Sequence, residues 1–299
     1  MRTRFALQYE VAVLIAFAAT VAARRLSEAL RASKGLEVNM TIFPPIPLTA
    51  TYFQAAYSAF MGRVVPSAGL TISFALAAWG LKAVNTSGAL AGAAVTFLLC
   101  MAAGPGALVA VLAVFALAYF TTRFGHQIKE RLGTAEGSEG RSARQVLANL
   151  AIAGMCVTPV LWYPDSAHWV LIGVAASLAE AAADTVSSEV GQVFSHHPVL
   201  ITNFRRVPPG TNGAITMVGS IMGILSATLI AYVCVAMDLI GQRWFLLTVT
   251  CATLGMFLDS LLGATLEKPD RLGNNSVNFT STGFAAFLAI LISFLVRAN

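Results

Sequence analysis

The chain has 299 residues, 57% of them hydrophobic and 11% charged, with a mean hydropathy of +0.73. Water-soluble domains carry about 25% charged residues, so soluble classes are excluded and the composition is that of an all-α, polytopic integral membrane protein. The net charge of +5 is no nucleic-acid signature, because the basic residues are scattered through short loops, where they report topology.

A membrane-spanning helix needs about 20 largely apolar residues. In chain order the runs that satisfy this are 5–23, 42–61, 67–84, 87–103, 107–122, 146–163, 168–187, 213–237, 244–265 and 279–297. The first reads as a retained span, since it contains Glu10 and ends on Arg24–Arg25. The second is the least regular, with Pro44, Pro45 and Pro47 crowding its start, and a re-entrant or interfacial segment is the alternative there. The expectation is a bundle of nine to ten transmembrane helices. Residues 1–65 would form an N-terminal extension with one or two of them, and 66–299 a membrane-embedded catalytic core. With ten spans and the segment 123–145 inside, fourteen of the nineteen Lys and Arg fall inside; omitting 42–61 leaves twelve. The positive-inside rule thus favours ten spans and places 123–145 in the cytoplasm. The cysteines, 100, 156, 234 and 251, lie in apolar runs without CxxC spacing and read as packing residues.

Against this background the stretch 180–213, EAAADTVSSEVGQVFSHHPVLITNFRRVPPGTNG, stands apart. Glu180 and Asp184 are four residues apart and share a helix face, which Ser188 continues before Glu189 leaves the span. Counted from the outer end of its span, Asp184 lies about 24 Å along, and Asp259 lies about 22 Å along its own. Carboxylates at such depth are costly and mark function. Three polar motifs start the spans that begin on the same side: Arg141-Ser-Ala-Arg144-Gln before the span holding Asn149, Pro208-Pro-Gly210-Thr211-Asn212-Gly213 before the next, and Asn274-Asn275-Ser-Val-Asn278 before the last. Helix N-termini and arginines suit phosphate, and Arg141, Arg144, Arg205 and Arg206 supply the cations. Carboxylates beside phosphate-binding elements suggest a divalent cation, Mg²⁺, held on a polyphosphate. The candidate metal ligands are Glu180, Asp184, Glu189 and Asp259. The segment PPGTNG is no P-loop, lacking the GxxxxGK[ST] pattern.

The strings GRSARQVLAN (140–149), ADTVSSEVG (183–191), LITNFRRVPPGTNGAITMVGS (200–220), LDSLLGATLE (258–267) and NNSVNF (274–279) resemble the integral membrane phytyl-phosphate kinase family. The resemblance covers residues 68–297, with Val186 and Ser188 as departures that remove no ligand. It implies a nucleotide-dependent kinase, with CTP as donor, that converts an isoprenoid monophosphate to its diphosphate. By motif it assigns Asp184, Glu189 and Asp259 to the acidic positions, Arg205 and Gly210–Gly213 to the PPGTNG region, and Arg141, Arg144 and Asn149 to the RSARQVLAN segment. Arg206, Asn275 and Asn278 complete the expected phosphate-binding set. The expected setting is the cytoplasmic face of a bacterial inner membrane, with the lipid bilayer, the isoprenoid phosphate and CTP as partners. Two other classes fit the same residues: an ion-coupled transporter or lipid flippase using the intramembrane carboxylates, and a cytidylyltransferase making a CDP-lipid.

Overall fold

A computed structural model describes residues 50–135, 139–163, 166–194, 197–267 and 272–298. The chain divides into two units, Met1–Ala55 and Ala56–Asn299, and the second carries the helical bundle. The helices are α1 (Ala50–Gly80), α2 (Thr86–Ala103), α3 (Pro105–Arg123), the short α4 (His126–Leu132), α5 (Ala143–Val157), α6 (Ala167–Phe194), α7 (Met217–Ala236), α8 (Phe245–Thr265) and α9 (Asn274–Ala298). A two-stranded antiparallel pair, β1 (Val199–Leu200) and β2 (Ala214–Ile215), lies between α6 and α7.

Seven helical stretches among the described residues are long and apolar enough to cross a membrane: 86–103, 105–123, 143–161, 167–194, 217–236, 242–265 and 274–296. The expected count of nine to ten is therefore not reached within them. The expected span 5–23 and residues 42–49 of the next lie outside the described residues. The separation expected between 42–61 and 67–84 is corrected: α1 runs unbroken across residues 62–66 with Pro66 inside it. Two further boundaries move. The span expected at 168–187 extends to Phe194, so Glu189 is helical, and Asn274–Asn278 form the first turns of α9 rather than a lead-in to it.

α6 is the axis of the bundle. Of its most apolar stretch 78% is buried within the protein, against 28–39% for the other six. The helices α3, α5, α7, α8 and α9 all pack on it. Its buried face includes Gly173, Ala175, Ala176, Ala179, Ala182 and Ala183 beside Ile172, Val174 and Leu178, and small residues let backbones approach closely where no hydrophobic driving force separates protein from lipid. At the α6–α7 crossing, a Cβ on Gly219 would come within 2.5 Å of the Ser187 carbonyl, and one on Gly223 within 2.9 Å of the Ala183 carbonyl. Outward-facing Ile221, Leu225, Leu229, Leu246, Phe287 and Leu295 are exposed, as a lipid-facing surface requires.

The start of α5 is tied to the start of α2. Arg141 donates its N–H to Ala83 O (3.0 Å) and accepts from Asn85 N–H (3.0 Å), while Ser87 Oγ accepts from Ala143 N–H (3.1 Å). Asn85 caps α2 by accepting from Gly88 N–H, and Ser142 forms a capping box with Gln145 at α5. A Cβ at Gly88 would collide with the Arg141 carbonyl, whereas one at Gly69 in α1 meets nothing. Gly88→Ala is therefore expected to lower unfolding stability by about 1–3 kcal/mol through overpacking. Gly69→Ala should be neutral or stabilising by up to about 1 kcal/mol. Thermal melts of the detergent-solubilised variants check the contrast.

Candidate functional site

The polar groups of α5, α6, α8 and α9 face one another around a cleft of about 390 Å³. Its acidic floor comes from two helices. Asp184 of α6 and Asp259 of α8 bring their carboxyls within hydrogen-bonding reach. Two contacting carboxyls need a proton or a cation between them. Asp259 Oδ2 also accepts from Ser281 Oγ of α9 (3.0 Å). Asn149 Oδ1 accepts from Asn278 Nδ2 at 3.5 Å, which joins α5 to α9. The depth match between Asp184 and Asp259 in the sequence corresponds to this meeting.

The hairpin between α6 and α7 covers the floor. Val207 N–H bonds Pro198 O (3.0 Å), and Ile201 N–H bonds Gly213 O (3.2 Å). The loop thereby folds back so that Gly210, Thr211, Asn212 and Gly213 line the cleft. Gly213 has a left-handed φ of +73° and rests on the Ala264 backbone nitrogen so closely that a Cβ would collide. Only glycine meets both demands. The motif does not lead directly into α7 as expected, because β2 intervenes.

Of the residues singled out in the sequence, Asp184, Glu189, Asp259, Arg141, Asn149, Asn275 and Asn278 line the cleft together with the 210–213 turn. Arg144, Arg205 and Arg206 do not: all three are exposed. Arg205 and Arg206 belong to the hairpin, where Leu200 N–H bonds Arg205 O (2.9 Å) and Val199 bridges Arg206. Beside them stands Phe204, 71% exposed and left-handed at φ +53°.

The four candidate metal ligands separate. Among the described residues no three His, Cys, Asp or Glu side chains form a metal cage. Asp184 and Asp259 meet. Glu180 lies one turn deeper, 1% exposed, and neither carboxylate oxygen has a hydrogen-bond partner among the described residues. Gly255 of α8 makes room for it, since a Cβ there would press on Glu180 Cγ at 2.6 Å. Ser281 is close by, but its single hydrogen is shared between Asp259 Oδ2 and Asn278 O. Glu189, at the cleft wall, forms an ion pair with Lys129 and accepts from Thr122 Oγ1 (3.2 Å).

Lys129 was not evident in the sequence. It sits in a short polar helix next to Glu130 and Arg131, with nothing local to distinguish it. In the fold it is 1% exposed. Its Nζ donates to Glu189 Oε2 and to the carbonyls of Thr121 and Thr122 (2.8 Å each), closing the C-terminus of α3. Arg141 Nη2 donates to Thr122 Oγ1 (3.2 Å), so this ion pair and the cleft's arginine share one neighbour. Thr134, Gln145, Gln192, Thr216 and Glu267 also line the cleft and were not singled out. Burial raises the Glu267 carboxyl above its ordinary range.

Residues 69–286, which carry most of the bundle and nearly all of the cleft, match the integral membrane protein DUF92 family. The chain belongs to this family. Uncharacterized membrane proteins of Synechocystis and of Methanocaldococcus jannaschii are each 32% identical to it, over 60% and 71% of this chain and 71% and 86% of theirs. The chloroplastic protein VTE6 of Arabidopsis thaliana is 26% identical over 72% of this chain and 67% of that one. No solved structure matches. The family spans all five polar motifs and α2 through α8, and its description as an integral membrane protein agrees with the lipid-facing surface.

The buried Lys129–Glu189 pair gives a direct test of packing. Replacing Lys129 by Met leaves Glu189 without its cation and should cost on the order of 3 kcal/mol. Pairing it with Glu189→Met should recover part of that loss. A double-mutant cycle of thermal melts reads the coupling, and additive effects would deny it.

Proposed function

We propose that this membrane protein is a kinase that transfers the terminal phosphoryl group of a nucleoside triphosphate, CTP, to an isoprenoid monophosphate such as phytyl phosphate. The observation that carries this reading is the meeting of Asp184 and Asp259 at the floor of a polar cleft walled by Arg141 and the 210–213 turn. Carboxylates, an arginine and backbone N–H groups around one cavity of about 390 Å³ suit a polyphosphate and its counter-cation. The five-motif resemblance to the phytyl-phosphate kinase family supplies the substrate class and the donor.

The donor set fits Mg²⁺, which takes one or two carboxylates plus substrate phosphates rather than an all-protein cage. Asp184 and Asp259 would hold it, with the buried Glu180 one turn deeper behind them. When bound, the ion neutralises charge on the donor phosphates. Arg141 binds phosphate oxygens opposite the carboxylates. Gln145, Asn149 and Asn278 orient the acceptor. An oxygen of the lipid phosphate attacks the terminal phosphorus, the bond to the donor breaks, and nucleoside diphosphate leaves with the electron pair. The acceptor is already anionic, so no strong general base is required. Glu189, paired with Lys129, holds the start of the cleft wall in place. The site faces the cytoplasm in this reading, where nucleotide is available.

The reading is tested with purified protein, CTP, Mg²⁺ and phytyl or farnesyl monophosphate. Asp184→Asn and Asp259→Asn should each lower diphosphate formation by about 100-fold or more, as loss of a preorganised charge in a dry site does. Both variants should stay monodisperse in detergent, and chelation should stop the wild type. Full activity in both variants removes the carboxylates from the reaction. Release of pyrophosphate in place of CDP turns the assignment to cytidylyl transfer, and ion flux without nucleotide turnover turns it to transport.

A further inference from the structure

A second cavity, of about 100 Å³, lies among α1, α2, α3, α5 and α6. It is apolar: Phe74, Phe115 and Tyr119 form one wall, with Phe74 edge-on to Phe115 at 5.2 Å and Phe115 stacked on Tyr119 at 5.8 Å. Gly88, Ala89, Gly92 and Ala93 of α2 add only small side chains to its lining. Four residues, Arg141, Gln145, Asn149 and Thr185, line both this groove and the polar cleft. Gln145 and Asn149 are one turn apart on α5, with Asn149 Nδ2 bonded to Gln145 O (2.9 Å). They form a ridge with an anion-binding cleft on one side and a hydrocarbon-lined groove on the other. Resting on the phosphotransfer reading, we infer that the groove seats the first carbons of the lipid substrate, while its phosphate crosses the ridge at Arg141 into the cleft.

The junction decides the occupant. A cation beside an apolar trough selects a molecule that is anionic at one end and hydrocarbon at the other. The size selects one chain. A dry cavity of about 150 Å³ holds benzene, so about 100 Å³ holds roughly one five-carbon unit. A single-chain phosphate fits, with the remainder of its chain beyond the groove, and a two-chain phosphatidic acid does not. Gly92 controls the space. A Cβ there meets Val146 Cγ1 at 3.7 Å, an ordinary contact, so a larger side chain is accepted by the backbone and fills the groove.

The test is binding. Affinities of farnesyl monophosphate, phosphatidic acid, inorganic phosphate and CTP are measured on wild type and Gly92→Leu. The variant should bind farnesyl monophosphate about 100-fold more weakly, the loss of about four buried CH₂ groups, with inorganic phosphate and CTP unchanged. Phosphatidic acid should bind wild type no better than inorganic phosphate. Independently of any variant, a farnesyl monophosphate with a diazirine on its first isoprene unit should label 88–93 or 111–119 in wild type, and excess unlabelled lipid should suppress the label. Labelling confined to the outer face of α7, or an unchanged affinity in Gly92→Leu, overturns the groove. Equal binding of phosphatidic acid overturns the single-chain selection. Failure of wild type to bind either CTP or farnesyl monophosphate instead removes the kinase reading itself.

Discussion

The closeness with which α6 is approached by its neighbours governs the rest of the molecule. Much of its buried surface is alanine, glycine and serine, set among Ile172, Val174, Leu178, Val186 and Val190, and Gly219 and Gly223 of α7 pack against it. In lipid there is little hydrophobic gain from bringing helices together, so association rests on van der Waals contact and on polar groups that find one another. Short side chains shorten the distances between axes. Only then can carboxyls as short as those of Asp184 and Asp259 reach across from separate helices. A bulkier α6 would hold the two acids apart, each in an apolar wall.

The polar groups are arranged by depth. Glu180 is deepest, with no hydrogen-bond partner among the described residues, Asp184 and Asp259 share the floor, and Glu189 stands at the rim with its charge balanced by Lys129. Carboxyl groups thus lie at successive depths, and Arg141 and the 210–213 turn line the same cleft. Lys129 does two things at once: it closes the last turn of α3 and keeps Glu189 in a balanced pair. The hairpin arginines are spent elsewhere, on an exposed tip that also carries Phe204.

Much of this was legible along the chain. Long apolar runs mark seven of the helices, because burying backbone in lipid leaves the helix as the solution. The equal depth of Asp184 and Asp259 follows from rise per residue alone. Other features needed the fold. The sequence separates 42–61 from 67–84, yet α1 runs from one into the other with Pro66 inside it. Lys129 is indistinguishable from the charged residues around it until its partner, 60 residues away, arrives. Arg205 and Arg206 read as phosphate ligands by composition, but the hairpin's own pairing turns them outward. Charge in a sequence gives the sign of a site and not the direction of its side chains.

Arg141 stands one residue before its helix cap, a position where a chain is usually loose. Here both of its backbone groups are committed, to Ala83 and Asn85, and the next turn is boxed by Ser142 and Gln145. The guanidinium, which also donates to Thr122 Oγ1, therefore projects from a fixed main chain. In the proposed reading, an anion would meet a donor whose main-chain entropy was surrendered during folding, not at the moment of capture. The same main chain is tied to the N-terminus of α2, the helix that walls the apolar groove. The polar cleft and the apolar groove are thus built on one frame through Arg141.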